Sequence, residues 1–142
     1  MPSAANFAQR EAERLASLTF YLDHQIGRYV VAEALRAAGA RVEVHLDHFP
    51  GDKPDTEWIP VVGQNGWVLI TKDQYIRRNP LERAAYEAAK LRGFVVTGKD
   101  MGAKELGDLL VRCVPGMARR SAGRTGPLLF TISRGGTFTK LI

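Results

Sequence analysis

Three short apolar runs punctuate the chain: residues 19–22 (Thr-Phe-Tyr-Leu), 67–70 (Trp-Val-Leu-Ile) and 94–97 (Phe-Val-Val-Thr). Each is too short for a helix and is bounded by glycine or polar residues, as strands buried on both faces of a parallel sheet are. Val42, Val44 and Leu46 alternate with Arg41, Glu43 and His45, and this period of two predicts a further, less buried strand. Between the runs the apolar spacing turns helical. A helix over residues 28–38 buries Val30, Val31, Ala34, Leu35 and Ala38 and ends at Gly39 as at a C-cap. Another over residues 103–114 buries Leu106, Leu109, Leu110 and Cys113. Asn79-Pro80-Leu81-Glu82 starts a third, running to residue 91: Asn79 caps, proline takes the first position and Glu82 completes a capping box. Pro54-Asp55-Thr56-Glu57 starts a fourth, with Asp55 or Thr56 as cap, expected to be short because Pro60 fits only a first turn.

At the two ends the pattern changes. Residues 4–17 read as a charged amphipathic helix, an arm outside the core that packs on its own domain or on a partner. Residues 117–126 are basic and contain glycine, the composition of a mobile linker with room for a helical turn. Residues 128–133 and 137–142 flank Arg134-Gly135-Gly136 and predict a terminal β-hairpin. The alternation of strand and helix is that of an α/β domain with a mainly parallel sheet. We expect one domain over residues 1–142: an arm at 1–18, a core at 19–114 and a basic linker with the hairpin at 115–142.

A chain of 142 residues can bury roughly two-thirds of its unfolded surface without disulfides or a structural metal. Cys113 is the only cysteine, set among leucines and valines as a structural thiol, and with three histidines it makes no zinc pattern. No apolar run approaches the ~18 residues of a membrane span, and the charged first helix is no signal peptide, so the cytoplasm is the expected compartment. The net charge of +5 conceals an asymmetry. Residues 1–76 carry 7 Lys/Arg and 10 Asp/Glu, whereas residues 77–142 carry 13 and 5. An acidic cluster facing a basic surface suits an enzyme that holds a metal ion and attracts a polyanion.

Open α/β sheets place their chemistry beyond the carboxyl ends of the strands. Asp23 follows the first strand, Asp73 follows the central one after Thr71 and Lys72, and Asp55 or Glu57 stands at a helix start near the same edge. Oxygen ligands converging in this way suit Mg²⁺ or Mn²⁺, which can activate a water and stabilise an in-line displacement at a phosphodiester. Lys72, Arg77 and Arg78 are either a solvated face or contacts to nucleic-acid phosphates. Asp55 is equally suited to capping, Glu57 to compensating a helix dipole, and His24, His45 and His48 to surface or structural roles. Trp58 and Trp67 read as core residues, with stacking on a base as the alternative. A phosphoacceptor receiver domain would need an acidic pair after the first strand, and a haloacid-dehalogenase phosphatase an aspartate two residues beyond Asp23, where Gln25 stands.

Several motifs together resemble one family. They are Phe20-Tyr-Leu-Asp23, the Gly27-Arg28 helix continuing Ala-Leu-Arg-Ala-Ala-Gly to residue 39, His48-Phe-Pro, Pro54-Asp55-x-Glu57-Trp58, and Gly66-Trp-Val-Leu-Ile-Thr-Lys-Asp73 followed by Ile76-Arg-Arg-Asn-Pro-x-Glu82. In this order, over roughly residues 19–114, they resemble the PIN-like domains related to VapC-type toxins. The resemblance implies a three-layer α/β/α sandwich and metal-dependent ribonuclease activity, often as the toxin of a toxin–antitoxin pair. It places the family's acids on Asp23, Asp55 and Asp73, with Glu57 and Asp47 as further members. The implied partners are RNA, an antitoxin protein and a second copy of the chain. The resemblance leaves open a catalytically weak or inactive module that binds RNA or a protein through its basic half.

Overall fold

The structure, a computed structural model, describes residues 4–142, with Arg77 described by its backbone alone. The described residues form six strands, β1 (Thr19–Leu22), β2 (Arg41–Val44), β3 (Val68–Thr71), β4 (Arg92–Val96), β5 (Leu128–Ile132) and β6 (Phe138–Lys140). They make one sheet in the order β2-β1-β3-β4-β5-β6, parallel throughout except for β6, which returns antiparallel to β5. The helices are α1 (Ala4–Ala16), α2 (Val30–Ala37), α3 (His45–His48), α4 (Asp55–Gln64), α5 (Pro80–Ala88) and α6 (Ala103–Ser121).

Alternation along the central strands divides their side chains between two cores. Phe20, Leu22, Val68, Ile70, Phe94 and Val96 face α2 and α6, while Tyr21, Leu69 and Val95 face α4 and α5. Both faces of β1, β3 and β4 are therefore covered, which explains why they read as continuous apolar runs. The result is an α/β/α sandwich. The arm α1 lies on α6, joined by an ion pair of 2.7 Å between Glu11 and Arg119. The glycine at the end of α2 takes the expected left-handed conformation, φ 94° at Gly39. Its amide donates to the Arg36 carbonyl and that of Ala40 to Leu35, which satisfies the last carbonyls of the helix.

Three expectations from the sequence are corrected. The alternating strand ends at Val44, because residues 45–48 turn into the single-turn α3; His45 is thereby fully buried and Leu46 is 39% exposed, the reverse of the predicted pattern. The helix α4 runs ten residues with Pro60 in its middle. Burial of Trp58, Ile59 and Val62 compensates for the amide that proline removes, a loss of ~3 kcal/mol in a helix interior. The first half of the predicted linker extends the preceding helix by more than the expected turn, since α6 continues through Pro115 to Ser121. Gly116, Met117, Ala118 and Ser121 are buried there. A buried side chain of the size of Met117 contributes ~1.5–3 kcal/mol, enough with its neighbours along α6 to override one proline. The hairpin forms as expected, and its first strand also joins the main sheet through β4.

Two features of this architecture locate the site. The strand order reverses between β1 and β3, so their carboxyl ends lie side by side and open a crevice. On the second face, α4 and α5 meet closely at Gly63, where a Cβ would sit 2.6 Å from the carbonyl oxygen of Ala89.

Candidate active site

The chain beyond β1 and the chain beyond β3 are built alike. Each strand is followed, directly or after one residue, by an aspartate that caps a short 3-10 turn: an Asp23 carboxylate oxygen accepts the Gln25 amide at 3.0 Å, and one of Asp73 accepts the Tyr75 amide at 2.9 Å. Short polar side chains favour such local bonds over extension of a strand. Thr71, buried between the two turns, joins them. Its hydroxyl donates to the other carboxylate oxygen of Asp23 and accepts the backbone amide of Asp73 at 2.9 Å. Asp23 is itself only 4% exposed. Burial pushes its carboxyl up to about 6, against the opposing effects of the Thr71 hydroxyl, nearby His24 and the amides of the turn.

The helix starts of α4 and α5 bring two more acids to Asp73. Oxygens of Asp55, Asp73 and Glu82 all lie within 4.8 Å of one another, each on a half-buried side chain. Asp55 is the first residue of α4, and its carboxylate accepts the indole N–H of Trp58 at 2.8 Å. Trp58 is held in turn by stacking on buried Tyr21, with ring centroids 5.6 Å apart. Glu82 lies in the first turn of α5, behind the Asn79 cap. Burial, then the charges of Asp55 and Asp73 and a side-chain hydrogen bond with Asp55, push its carboxyl up to about 7. One of its oxygens, Oε2, is buried without a hydrogen-bond partner. Two helix N-termini soften the repulsion among the three acids without supplying a full positive charge.

A divalent cation fits this arrangement. The donors are hard carboxylate oxygens, one of them is orphaned, and the proton affinity of Glu82 is raised in part by its neighbours' charge. Oxygens on opposite sides of a magnesium-sized ion are about 4.2 Å apart, which falls within the 4.8 Å limit that encloses the three ligand oxygens. A PIN-like domain family model matches residues 18–98, more than half of the 142-residue chain. The chain belongs to the PIN-like domain family. It is also 29% identical over 129 residues to a Mycobacterium tuberculosis protein named "Putative ribonuclease VapC45", covering 87% of this chain and 93% of that protein. No solved structure matches the chain significantly.

Within this PIN-like domain the residues singled out in the sequence fall into three groups. Asp55 and Asp73 are brought together, and Asp23 adjoins them through Thr71 while standing outside the group of three. Glu57 is on the solvent side of α4, 57% exposed and 3.9 Å from Lys53, and Asp47 pairs with Arg28 at 2.7 Å; neither joins the cluster. Lys72 and Arg78 line a cleft of about 350 Å³ that also contains Asp73, Tyr75 and Lys99, while the side chain of Arg77 lies outside the described residues. Of the histidines, His48 pairs with Glu43 at 2.8 Å and His24 is exposed. His45 accepts the Tyr21 hydroxyl at Nδ1 and has Nε2 3.2 Å from the Pro50 carbonyl, so the ring is the neutral tautomer with its proton on Nε2. Burial lowers its pKa, which keeps it neutral.

Glu82 is the member of the cluster that the sequence did not bring forward. Its position in Asn-Pro-Leu-Glu fits a capping box, yet the Asn79 amide that it would accept donates to the Tyr75 carbonyl at 2.9 Å. The carboxylate is thus free to meet Asp55 and Asp73. The available signal was an acid in the first turn of the helix that follows the Asp73 loop, two residues after a proline-fixed start.

Proposed function

We propose that this PIN-like domain is a divalent-metal-dependent ribonuclease, acting in the cytoplasm as the toxin of a toxin–antitoxin pair with an antitoxin protein as its partner. The single observation that carries the reading is the convergence of Asp55, Asp73 and Glu82 oxygens within 4.8 Å of one another, at the strand-order reversal of the sheet. The similarity to a protein named as a ribonuclease supports RNA as the substrate. Asp55, Asp73 and Glu82 would hold Mg²⁺ or Mn²⁺, which supplies neutralisation of phosphodiester charge and an activated water. Asp23 adds a buried carboxyl at the border and, through Thr71, fixes the backbone that presents Asp73. Lys72 and Arg78 meet the phosphates of the substrate.

The test is cleavage of several RNAs by the purified chain with Mg²⁺ or Mn²⁺, against EDTA and against Asp73→Asn. The substitution keeps the side chain's size and its ability to accept the Tyr75 amide but deletes a charge of the cluster. Activity is expected to disappear in both controls while the fold persists. Cleavage by Asp73→Asn at the parent rate would refute the role of Asp73. A parent chain inactive on every RNA with both metals would leave a non-catalytic binding module as the better reading.

A further inference from the structure

Beside the acid cluster the structure holds a set of groups that metal binding does not use. Lys72, Tyr75, Arg78 and Lys99 line the 350 Å³ cleft that opens next to Asp73. Among the described residues, the three cationic side chains have no ion-pair or hydrogen-bond partner. Other described cations on the surface are paired, as Arg83 is with Glu87 and Lys104 with Asp108, or stand without a side-chain partner, as Lys90 and Lys140 do; what sets these three apart is that they converge on one cleft beside Asp73. Tyr75 is 69% exposed at the cleft's edge.

The ring is exposed but its backbone is fixed. The Tyr75 amide donates to Asp73, and its carbonyl accepts the amides of Arg78 at 2.8 Å and Asn79 at 2.9 Å. The same turn therefore aims the Asp73 carboxylate and sets where the aromatic ring stands. Lys99 arrives from the loop after β4, where its carbonyl accepts a hydrogen bond from Arg134 on the hairpin turn. An exposed aromatic face among unpaired cations has the chemistry that binds an unstacked base and the phosphates on either side of it. The volume is at the small end of the ~300–1,000 Å³ range of ligand clefts, a size that matches one nucleotide.

We propose that this cleft is the subsite for one unpaired nucleotide adjoining the scissile phosphodiester, with its base stacked on Tyr75 and its phosphates met by Lys72, Arg78 and Lys99. The proposal deepens the ribonuclease reading and rests on it for the position of the scissile bond. Tyr75 and Lys99 are specificity and positioning groups, outside the acid cluster.

The experiment uses the full chain and a set of short single-stranded RNAs of varied sequence, each carrying 2-aminopurine at one position, with binding measured in EDTA so that cleavage does not intervene. Stacking on Tyr75 is expected to quench the 2-aminopurine at one position of the bound RNA. Tyr75→Leu should abolish the quench and weaken binding about 5- to 150-fold, the effect of removing one base–aromatic stack, while Tyr75→Phe retains both. Lys99→Ala should reduce the magnitude of the slope of log affinity against log salt by about 0.7, the contribution of one phosphate contact on a single strand. In the cleavage assay, Tyr75→Leu should raise KM and leave the metal requirement unchanged. Quenching and affinity that survive Tyr75→Leu in a chain that remains folded by circular dichroism would overturn the subsite even if the parent cleaves RNA. Failure of the parent to bind any of the RNAs would overturn it too and point to a protein ligand for the cleft. A parent that binds with the expected quench yet cleaves nothing with either metal would sink the nuclease reading and leave the nucleotide subsite standing.

Discussion

Replacing Glu82 by glutamine should make the metal-free protein more stable, with a pH dependence that identifies the cause. The carboxyl is held at about 7 in the folded chain against an ordinary 4.5, by burial first and then by Asp55 and Asp73. A folded-state pKa above the unfolded value means that the folded chain binds the proton more tightly. The associated stability is complete below about pH 4.5 and is lost as pH rises through about 7. That interval corresponds to at most ~3.4 kcal/mol at ~1.36 kcal/mol per pH unit. Because the side chain is only half-buried, solvent screening reduces the figure, and we expect a gain of ~1–2 kcal/mol for Glu82→Gln at about pH 8. Glutamine resembles the protonated acid in shape and, like it, can donate to Asp55. For a domain of this size the gain should raise the melting temperature by ~3–8 °C. Thermal unfolding in EDTA at about pH 8 and about pH 4 is the assay, with the difference between parent and variant shrinking towards zero at the lower pH. Adding Mg²⁺ should then stabilise the parent more than the variant, because a ligand stabilises only the chain that binds it. A variant that is no more stable at high pH, or equally stabilised at both, would refute the account of Glu82 as one of three mutually repelling acids.

Two further substitutions probe the groups that hold the acids. Thr71→Val leaves buried Asp23 with only backbone partners and strips the Asp73 amide of its acceptor, so it should cost ~1–3 kcal/mol in urea unfolding while Thr71→Ser costs much less; equal stability of valine and serine at this position would contradict the hydroxyl's bridging role. Trp58→Phe keeps an aromatic ring against Tyr21 but removes the N–H that orients Asp55, and calorimetric titration should find Mn²⁺ affinity lowered by about 10-fold or more. Unchanged affinity would show that Asp55 needs no such support.

Much of this molecule is legible in its sequence for a simple reason: the central strands are buried on both faces, so apolar runs and the aspartates that terminate them stand out. The parallel pairing of β1 with β3, the helix start at Asn79 and the glycine end of α2 follow from local chemistry that tertiary contacts do not override. Where the reading fails, long-range burial decides. His45 looks like an outward residue of an alternating strand until the Tyr21 hydroxyl, 24 positions earlier, offers it a partner inside the core. Pro60 looks like a first-turn residue, and residues 117–121 like part of a linker, until the faces around them are buried in the core. Glu82 fits a capping box in one dimension, and only the packing of α4 beside α5 reveals that it meets Asp55.

That packing also means that spacing at the chemical end is set partly at the opposite end. Gly63 touches Ala89 near the far ends of α4 and α5, about 12 Å along the helix from Asp55 at ~1.5 Å per residue. An added methyl group would act there as a wedge, since a position 2.6 Å from the Ala89 oxygen and 2.8 Å from its Cβ is too tight for any carbon. The two helices behave as the handles of a pair of tongs whose tips carry Asp55 and Glu82. Gly63→Ala should therefore alter metal affinity without touching a ligand, and a chain so altered that binds Mn²⁺ as the parent does would show that the handles bend instead of transmitting the push. The smallest side chain in α4 thus acts as the stop that sets how far the grip can close.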